Sequence, residues 1–253
     1  VDPREDVRVI APVLIAVFVG AVAQRVTGLG FALVVAPVLV ILLGPFDGVM
    51  IVNLCSVLSA SLVLSAVRRD VEWRRYLLLA GPAVVGIVPG ALLAYLLPEP
   101  ALEIGIGVLL VAALTTSLAL RRTTRVIDGP GVMAGFGFSA GVMNAAAGIG
   151  GPSVSVYAVV SRWEQRPFAA TLQPFFLTTG AVSLITKLVL APDRWPDLGA
   201  AAWIGIVVTL VAGVGAGTLL APRIPTPGAR AAVLVISFAG AVTAIVKGVG
   251  GLV

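Results

Sequence analysis

Ten apolar runs separated by short loops leave this 253-residue chain few folds to choose from. They lie at about 9–27, 31–45, 48–67, 76–97, 101–120, 131–147, 152–161, 168–191, 199–221 and 230–249. A helix needs about 20 apolar residues to cross a hydrocarbon core of about 30 Å. About eight of the runs read as spanning helices, and two are short or broken. Only 11% of the residues are charged, against about a quarter in soluble domains, and the mean hydropathy is +1.09. The chain therefore reads as an all-α integral membrane protein, with nothing of comparable length left for a soluble domain.

The excess of basic residues, net +5, does not point to nucleic acid, because these residues sit in short loops between apolar runs. Orientation accounts for them better. If the chain begins outside, the loops 68–75, 121–129, 162–167 and 222–230 lie inside and hold eleven of the seventeen Lys and Arg. These are Arg68, Arg69, Arg74, Arg75, Arg121, Arg122, Arg125, Arg162, Arg166, Arg223 and Arg230. The other side receives Arg4, Arg8, Lys187, Arg194 and Lys247. Both termini are therefore expected outside. The N-terminal segment lacks the cationic leader and cleavage pattern of a signal peptide, so the first run is read as a membrane element. The single cysteine, Cys55, is read as a small core residue.

The chain also repeats itself. A shift of 120 residues places Gln24 on Asn144, Gly28 on Gly148, Gly30 on Gly150 and Asn53 on Gln173. A shift of 127 places Gly90 on Gly217 and Pro98-Glu99-Pro100 on Pro225-Thr226-Pro227. This gives an N-terminal repeat 1–125 (hairpin 9–45, helices 48–67, 76–97 and 101–120) and a C-terminal repeat 126–253 (hairpin 131–161, helices 168–191, 199–221 and 230–249). An odd number of crossings per repeat inverts the second against the first, an arrangement common in secondary transporters. The ten-residue run 152–161 spans only about 15 Å as a helix, so two re-entrant or broken hairpins entering from opposite faces are expected. The longer first hairpin could also span fully.

Two glycine-rich breaks define the hairpin tips: Gln24-Arg25-Val26-Thr27-Gly28-Leu29-Gly30-Phe31 and Asn144-Ala145-Ala146-Ala147-Gly148-Ile149-Gly150-Gly151-Pro152. Non-helical backbone at membrane depth survives only where protein or a watery cavity satisfies it. Each restarted helix offers up to four unpaired N–H groups and about half a positive charge, a setting suited to anions. The candidate binding residues are Gln24, Arg25, Thr27, Gly28, Gly30, Phe31, Asn53, Asn144, Gly148, Gly150, Gly151, Ser153 and Gln173. Ser56 and Thr178 are the other polar residues noted inside the runs. Arg25 is the one charge deep in the pattern and is expected to meet water, a carbonyl or an anion unless it snorkels to a face. Lys187, near the end of its run, is expected to snorkel. Gly86 with Gly90, Gly137 with Gly141, and Gly213 with Gly217 read as small-residue packing surfaces.

The chain has no histidine, and no Asp or Glu falls in the middle of an apolar run. Zinc-peptidase, aspartyl-protease and Ser-His chemistry thus lack their parts. No catalytic residue, metal or cofactor is expected, and no carboxylate relay for protons is apparent.

The tips and their flanks resemble the sulfite exporter TauE/SafE family of permeases, also called the 4-toluene sulfonate uptake permease family. The likeness rests on Thr27-Gly28-Leu29-Gly30-Phe31 followed by Pro37, on Val71-Glu72-Trp73-Arg74 leading to Gly86 and Gly90, and on Gly148-Ile149-Gly150-Gly151-Pro152 followed by Ala170-Thr171. The resemblance implies movement of a small sulfur-containing anion, such as sulfite, thiosulfate or an organosulfonate, across the inner (plasma) membrane. The partners implied are that anion and the lipid bilayer, with a homo-oligomer compatible. Two other readings stay open at this point: a carrier of another small anion such as a short carboxylate, and a membrane scaffold or assembly factor without substrate.

Overall fold

The computed structural model describes residues 3–28, 30–120, 126–224 and 226–251. Leu29 of the first tip, the loop arginines Arg121, Arg122 and Arg125, and Pro225 of the repeated turn lie outside the described residues, as do the side chains of Arg4, Arg8 and Arg230. Among the described residues there are ten α-helices and no strands: α1 (Pro3–Thr27), α2 (Phe31–Leu43), α3 (Pro45–Val67), α4 (Trp73–Leu96), α5 (Glu99–Leu120), α6 (Pro130–Ala147), α7 (Gly151–Val160), α8 (Gln165–Leu190), α9 (Ala200–Leu220) and α10 (Thr226–Gly250). Their limits fall within a few residues of the apolar runs. Several helices start slightly earlier because proline and polar residues in a first turn cost the helix little while ending the apolar stretch. Pro45, Pro130 and Pro152 occupy such positions.

Among the described residues seven helices, rather than about eight, are long and apolar enough to cross a membrane: α1, α3, α4, α5, α8, α9 and α10. Helices α2 and α7 are the shorter apolar ones, as the broken runs implied. Helix α6 has 18 residues, but its glycines together with Ser139 and Asn144 dilute its hydropathy. Large apolar side chains cover the outside of the bundle, among them Leu77, Val85, Val189, Ile204 and Val235. That is the surface a lipid environment favours.

Helix packing follows the small residues. A Cβ added at Gly86, Gly90, Gly137 or Gly141 would collide with the facing backbone, so α4 and α6 run in backbone contact. Gly213 and Gly217 do the same for α9 against α1, meeting Phe18, Ala21 and Arg25. The packing reading of these three glycine pairs is thus matched by their surroundings. The helix pairs correspond under the 120-residue shift. Helix α1 packs on α9 as α6 packs on α4, α2 packs on α10 as α7 packs on α5, and α3 meets α8 and α5 meets α10. Among the seven long apolar helices, α3 and α8 are the most enclosed.

Connections gather at two ends. At one end Arg166 pairs with Asp70 at 3.0 Å, Trp163 Nε1 donates to Glu72 Oε1 at 3.2 Å, and the Ile127 N–H donates to the Val160 carbonyl at 2.9 Å. Loops 68–72, 126–129 and 161–164 therefore lie together. At the other end Lys247 Nζ donates to Glu103 at 2.7 Å and to the Ile41 carbonyl at 3.0 Å, and Arg194 lies 4.6 Å from the Phe46 ring centroid. This second group joins the end of α2, the start of α3, the α8–α9 connection and the end of α10. Lys187 also lies here, and it does not snorkel. It is 1% exposed, with its Nζ 4.8 Å from the Phe46 ring centroid. Its burial follows from its position on the face of α8 that packs on α3.

Candidate functional site

Both helix breaks are built alike. Gly28 has φ +76° and donates its N–H to the Gln24 carbonyl at 2.8 Å; Gly148 has φ +73° and donates to the Asn144 carbonyl at 2.8 Å. Glycine takes this left-handed conformation without a Cβ penalty, which ends α1 and α6. The amide side chains one turn earlier, Gln24 and Asn144, are thereby fixed beside their own tips.

Each of these amides is held by an amide of the other half of the chain. Gln24 Nε2 donates to Gln173 Oε1 at 3.2 Å, and Asn144 Nδ2 donates to Asn53 Oδ1 at 2.9 Å. The Ser59 hydroxyl donates to Gln24 Oε1 at 3.0 Å, while Asn144 Nδ2 also reaches the Thr179 carbonyl at 3.3 Å. Asn53 Nδ2 continues to Ser183 Oγ at 3.3 Å, and Gln173 Nε2 to the Ala169 carbonyl at 2.8 Å. Gln24, Asn53, Asn144 and Gln173 are all at most 5% exposed. Interhelical bonds of this kind contribute about 0.6 kcal/mol each, up to about 1.7. Their larger effect is to aim the groups. Among the described residues, one Nε2 proton of Gln24 and the Oδ1 of Asn144 have no protein partner.

A cavity of about 20 Å³ lies between the tips, lined by Gln24, Gly30, Phe31, Ala32, Leu33 and Ser56 from the first half and by Asn144, Gly148, Gly150, Gly151, Pro152 and Phe176 from the second. Five pairs of these residues are 120 apart. The first turns of α2 and α7 reach it, and neither helix has a side-chain cap on its N-terminal N–H groups. A larger cavity of about 340 Å³ adjoins it, since Leu33 and Pro152 line both. Thr27, Ser155, Trp163 and the exposed Arg162 and Gln165 also line this vestibule.

Seven of the thirteen residues singled out from sequence line the small cavity: Gln24, Gly30, Phe31, Asn144, Gly148, Gly150 and Gly151. Asn53 and Gln173 stand behind it and orient the two amides. Thr27 lines the vestibule and donates its hydroxyl to the Ala23 carbonyl at 2.7 Å. Gly28 packs on Ala169, where an added Cβ would sit 2.5 Å from the alanine Cβ. Ser153 turns toward α6, donating to the Phe136 carbonyl at 2.9 Å. Arg25 is not brought to the cavity. Its Nε donates to Thr218 Oγ1 on α9 at 2.9 Å, and its stem lies on Gly217. The sequence reading left out Ser56, Ser59, Phe176, Thr179 and Ser183 as site residues. Extending the 120-residue shift along α3 and α8 pairs Ser56 with Phe176 and Ser59 with Thr179, which is the signal that could have found these four; Ser183 has the apolar Val63 as its counterpart and carries no such signal.

Among the described residues, the groups that line the small cavity are amides, a hydroxyl, helix-start backbone and apolar side chains, which suit binding. No curated protein and no solved structure matches the chain. A family profile described as Sulfite exporter TauE/SafE matches residues 13–244, a stretch that takes in both breaks and all four paired amides. The chain therefore belongs to the TauE/SafE family, multi-pass membrane transporters rather than enzymes.

Proposed function

We propose that the protein carries a small sulfur-containing anion, such as sulfite, thiosulfate or an organosulfonate, across the plasma membrane, and that the anion is held between the two glycine tips. One observation carries this reading: two uncapped helix starts, related by the 120-residue shift, border a single cavity together with the spare Nε2 proton of Gln24. Helix starts contribute about 0.3–2 kcal/mol each toward an anion. Hydrogen bonds to a charged group add about 1.5–3 kcal/mol each. Uncharged protein donors can thus hold the anion without binding it too tightly to release.

In this reading the two halves are inverted repeats, and the hairpins α1–α2 and α6–α7 enter from opposite faces. The grouped loops agree, since α6 starts and α7 ends with the Arg162 loop whereas α2 ends with the Phe46 group. The arginine-rich loops favour an inside position for the Arg162 end and an outside position for both termini. A cavity of about 20 Å³ is close to the size of one water molecule. The tips must therefore part to admit an anion, which arrives through the vestibule beside Arg162.

The test is flux into and out of proteoliposomes for sulfite, thiosulfate, organosulfonates and short carboxylates. Saturable movement of the sulfur oxyanions in preference to carboxylates is expected. Preference for the carboxylates would move the assignment to another anion class, and no saturable flux of any anion would overturn it.

A further inference from the structure

We infer that Lys187, with Arg194 beside the same Phe46 ring, forms a second station for the transported anion, at the end of α8 remote from the Arg162 vestibule. This rests on the carrier reading above and extends it from one site to a route. Lys187 is 1% exposed, and its Nζ has no hydrogen-bond partner. Among the described residues it makes no ion pair. Its ammonium lies 4.8 Å from the Phe46 ring centroid, and the Arg194 guanidinium lies 4.6 Å from the same centroid. Asp47 acts on Lys187 electrostatically but does not pair with it. Two cations therefore converge on one ring beside a single carboxylate, Asp47, which acts on both without a hydrogen bond to Lys187, and a buried ammonium left without such a bond is costly until an anion reaches it. It offers three N–H donors, the complement of a small oxyanion.

A buried polar column joins this end to the tips. From Asn144 the hydrogen bonds pass to Asn53 and on to Ser183 Oγ, and Lys187 stands one turn beyond Ser183 on α8. Thr179, Ser183 and Lys187 are each at most 1% exposed and recur every four residues, so the column covers about 12 Å. In the other half, the positions 120 residues earlier than Ser183 and Lys187 are Val63 and Val67, both apolar. The column thus exists in one half alone and gives the route a chemically distinct end, where an anion crossing between the tip cavity and that face meets Lys187.

The experiment measures flux of radiolabelled sulfite in proteoliposomes for the parent, Lys187→Met, Lys187→Arg and Arg194→Gln, with the melting temperature of each. Lys187→Met is expected to melt at or above the parent while its flux falls at least tenfold, and Lys187→Arg to retain more flux than Lys187→Met. Arg194 is exposed, so Arg194→Gln is expected to fold and to raise the half-saturating sulfite concentration about threefold when sulfite is presented from its own face only. Parent-like flux in Lys187→Met, or an unstable Lys187→Met beside an unaffected Arg194→Gln, overturns the second station and leaves a lysine that only packs. A parent that moves no anion overturns the carrier reading and the station together.

Discussion

At the scale of single residues, the proposed site rests on amides that have two roles. Asn144→Ala and Gln24→Ala remove groups that border the cavity and also leave Asn53 Oδ1 and Gln173 Oε1 without their donors. Gln24→Ala, which removes a donor, is expected to raise the half-saturating substrate concentration about ten- to a hundredfold, equivalent to about 1.4–2.7 kcal/mol. Asn144→Ala, whose amide protons already go to Asn53 and Thr179, acts through the position of its tip and is expected to raise it less. Each should lose about 0.6–1.7 kcal/mol of stability as well. Flux titration together with thermal unfolding in detergent separates the two effects. Variants that lose stability yet keep parent-like half-saturation would move the site away from the tips. Arg25→Lys is expected to change half-saturation less than twofold, because Arg25 bonds to Thr218 on α9 and not to the cavity. A larger change in that titration would return Arg25 to the site.

At the scale of helices, close approach sets the strength of the bundle. Gly141→Val would drive a side chain into the Ala83 backbone and force α4 from α6. Such overpacking costs about 1–3 kcal/mol, and the melting temperature should fall accordingly. Gly135, on the same helix, has no atom within 4 Å of an added Cβ. Gly135→Ala should therefore leave the melting temperature unchanged or slightly higher, and a drop equal to that of Gly141→Val would contradict the packing account. For the same reason Gly28→Val is a poor probe of binding: its left-handed backbone and its contact with Ala169 make it a stability variant. The loop before α6 adds a pH-dependent tie. Asp128 accepts hydrogen bonds from the Tyr157 hydroxyl and from the Gly129 N–H, and these hold its carboxyl below its ordinary value of 3.8. A lowered folded-state value means that this tie is fully present above about pH 4 and is lost as the pH falls through the lowered value. Unfolding of the parent and of Tyr157→Phe between pH 6 and pH 2 should show an advantage of the parent that vanishes at the acid end. An advantage that persists there would show that Asp128 is not its source.

At the scale of the whole molecule, the loops form two groups, and the direction proposed from the arginines can be tested. In a Cys55→Ala background, single cysteines at Val126 and Asp193 should react with an impermeant thiol reagent from opposite sides of the membrane, Asp193 from outside. Both replaced residues are exposed, so access does not limit labelling. Labelling of both from one side would remove the inverted arrangement.

Much of this was legible without coordinates, for identifiable physical reasons. Helix positions followed from hydropathy, because a bilayer leaves the backbone no other way to satisfy its polar groups. The tips followed from glycines that interrupt apolar runs, and the partnership of Gln24 with Asn144 followed from an internal shift that survives in the residues themselves. The shift could say that Gln24 corresponds to Asn144 and Asn53 to Gln173. It could not say that the bonds would run crosswise, Gln24 to Gln173 and Asn144 to Asn53. That depended on α8 passing behind the first tip and α3 behind the second. Arg25 and Lys187 make the same point from opposite directions. In sequence the first read as a deep charge and the second as a peripheral one. Helix phase and neighbours decided otherwise: at 3.6 residues per turn, the position after Gln24 points about 100° away from it, toward α9. Lys187 falls on the face of α8 that packs on α3. Local pattern thus determined which segments enter the membrane and where they break, and the packing of helices distant in sequence determined which side chains meet there.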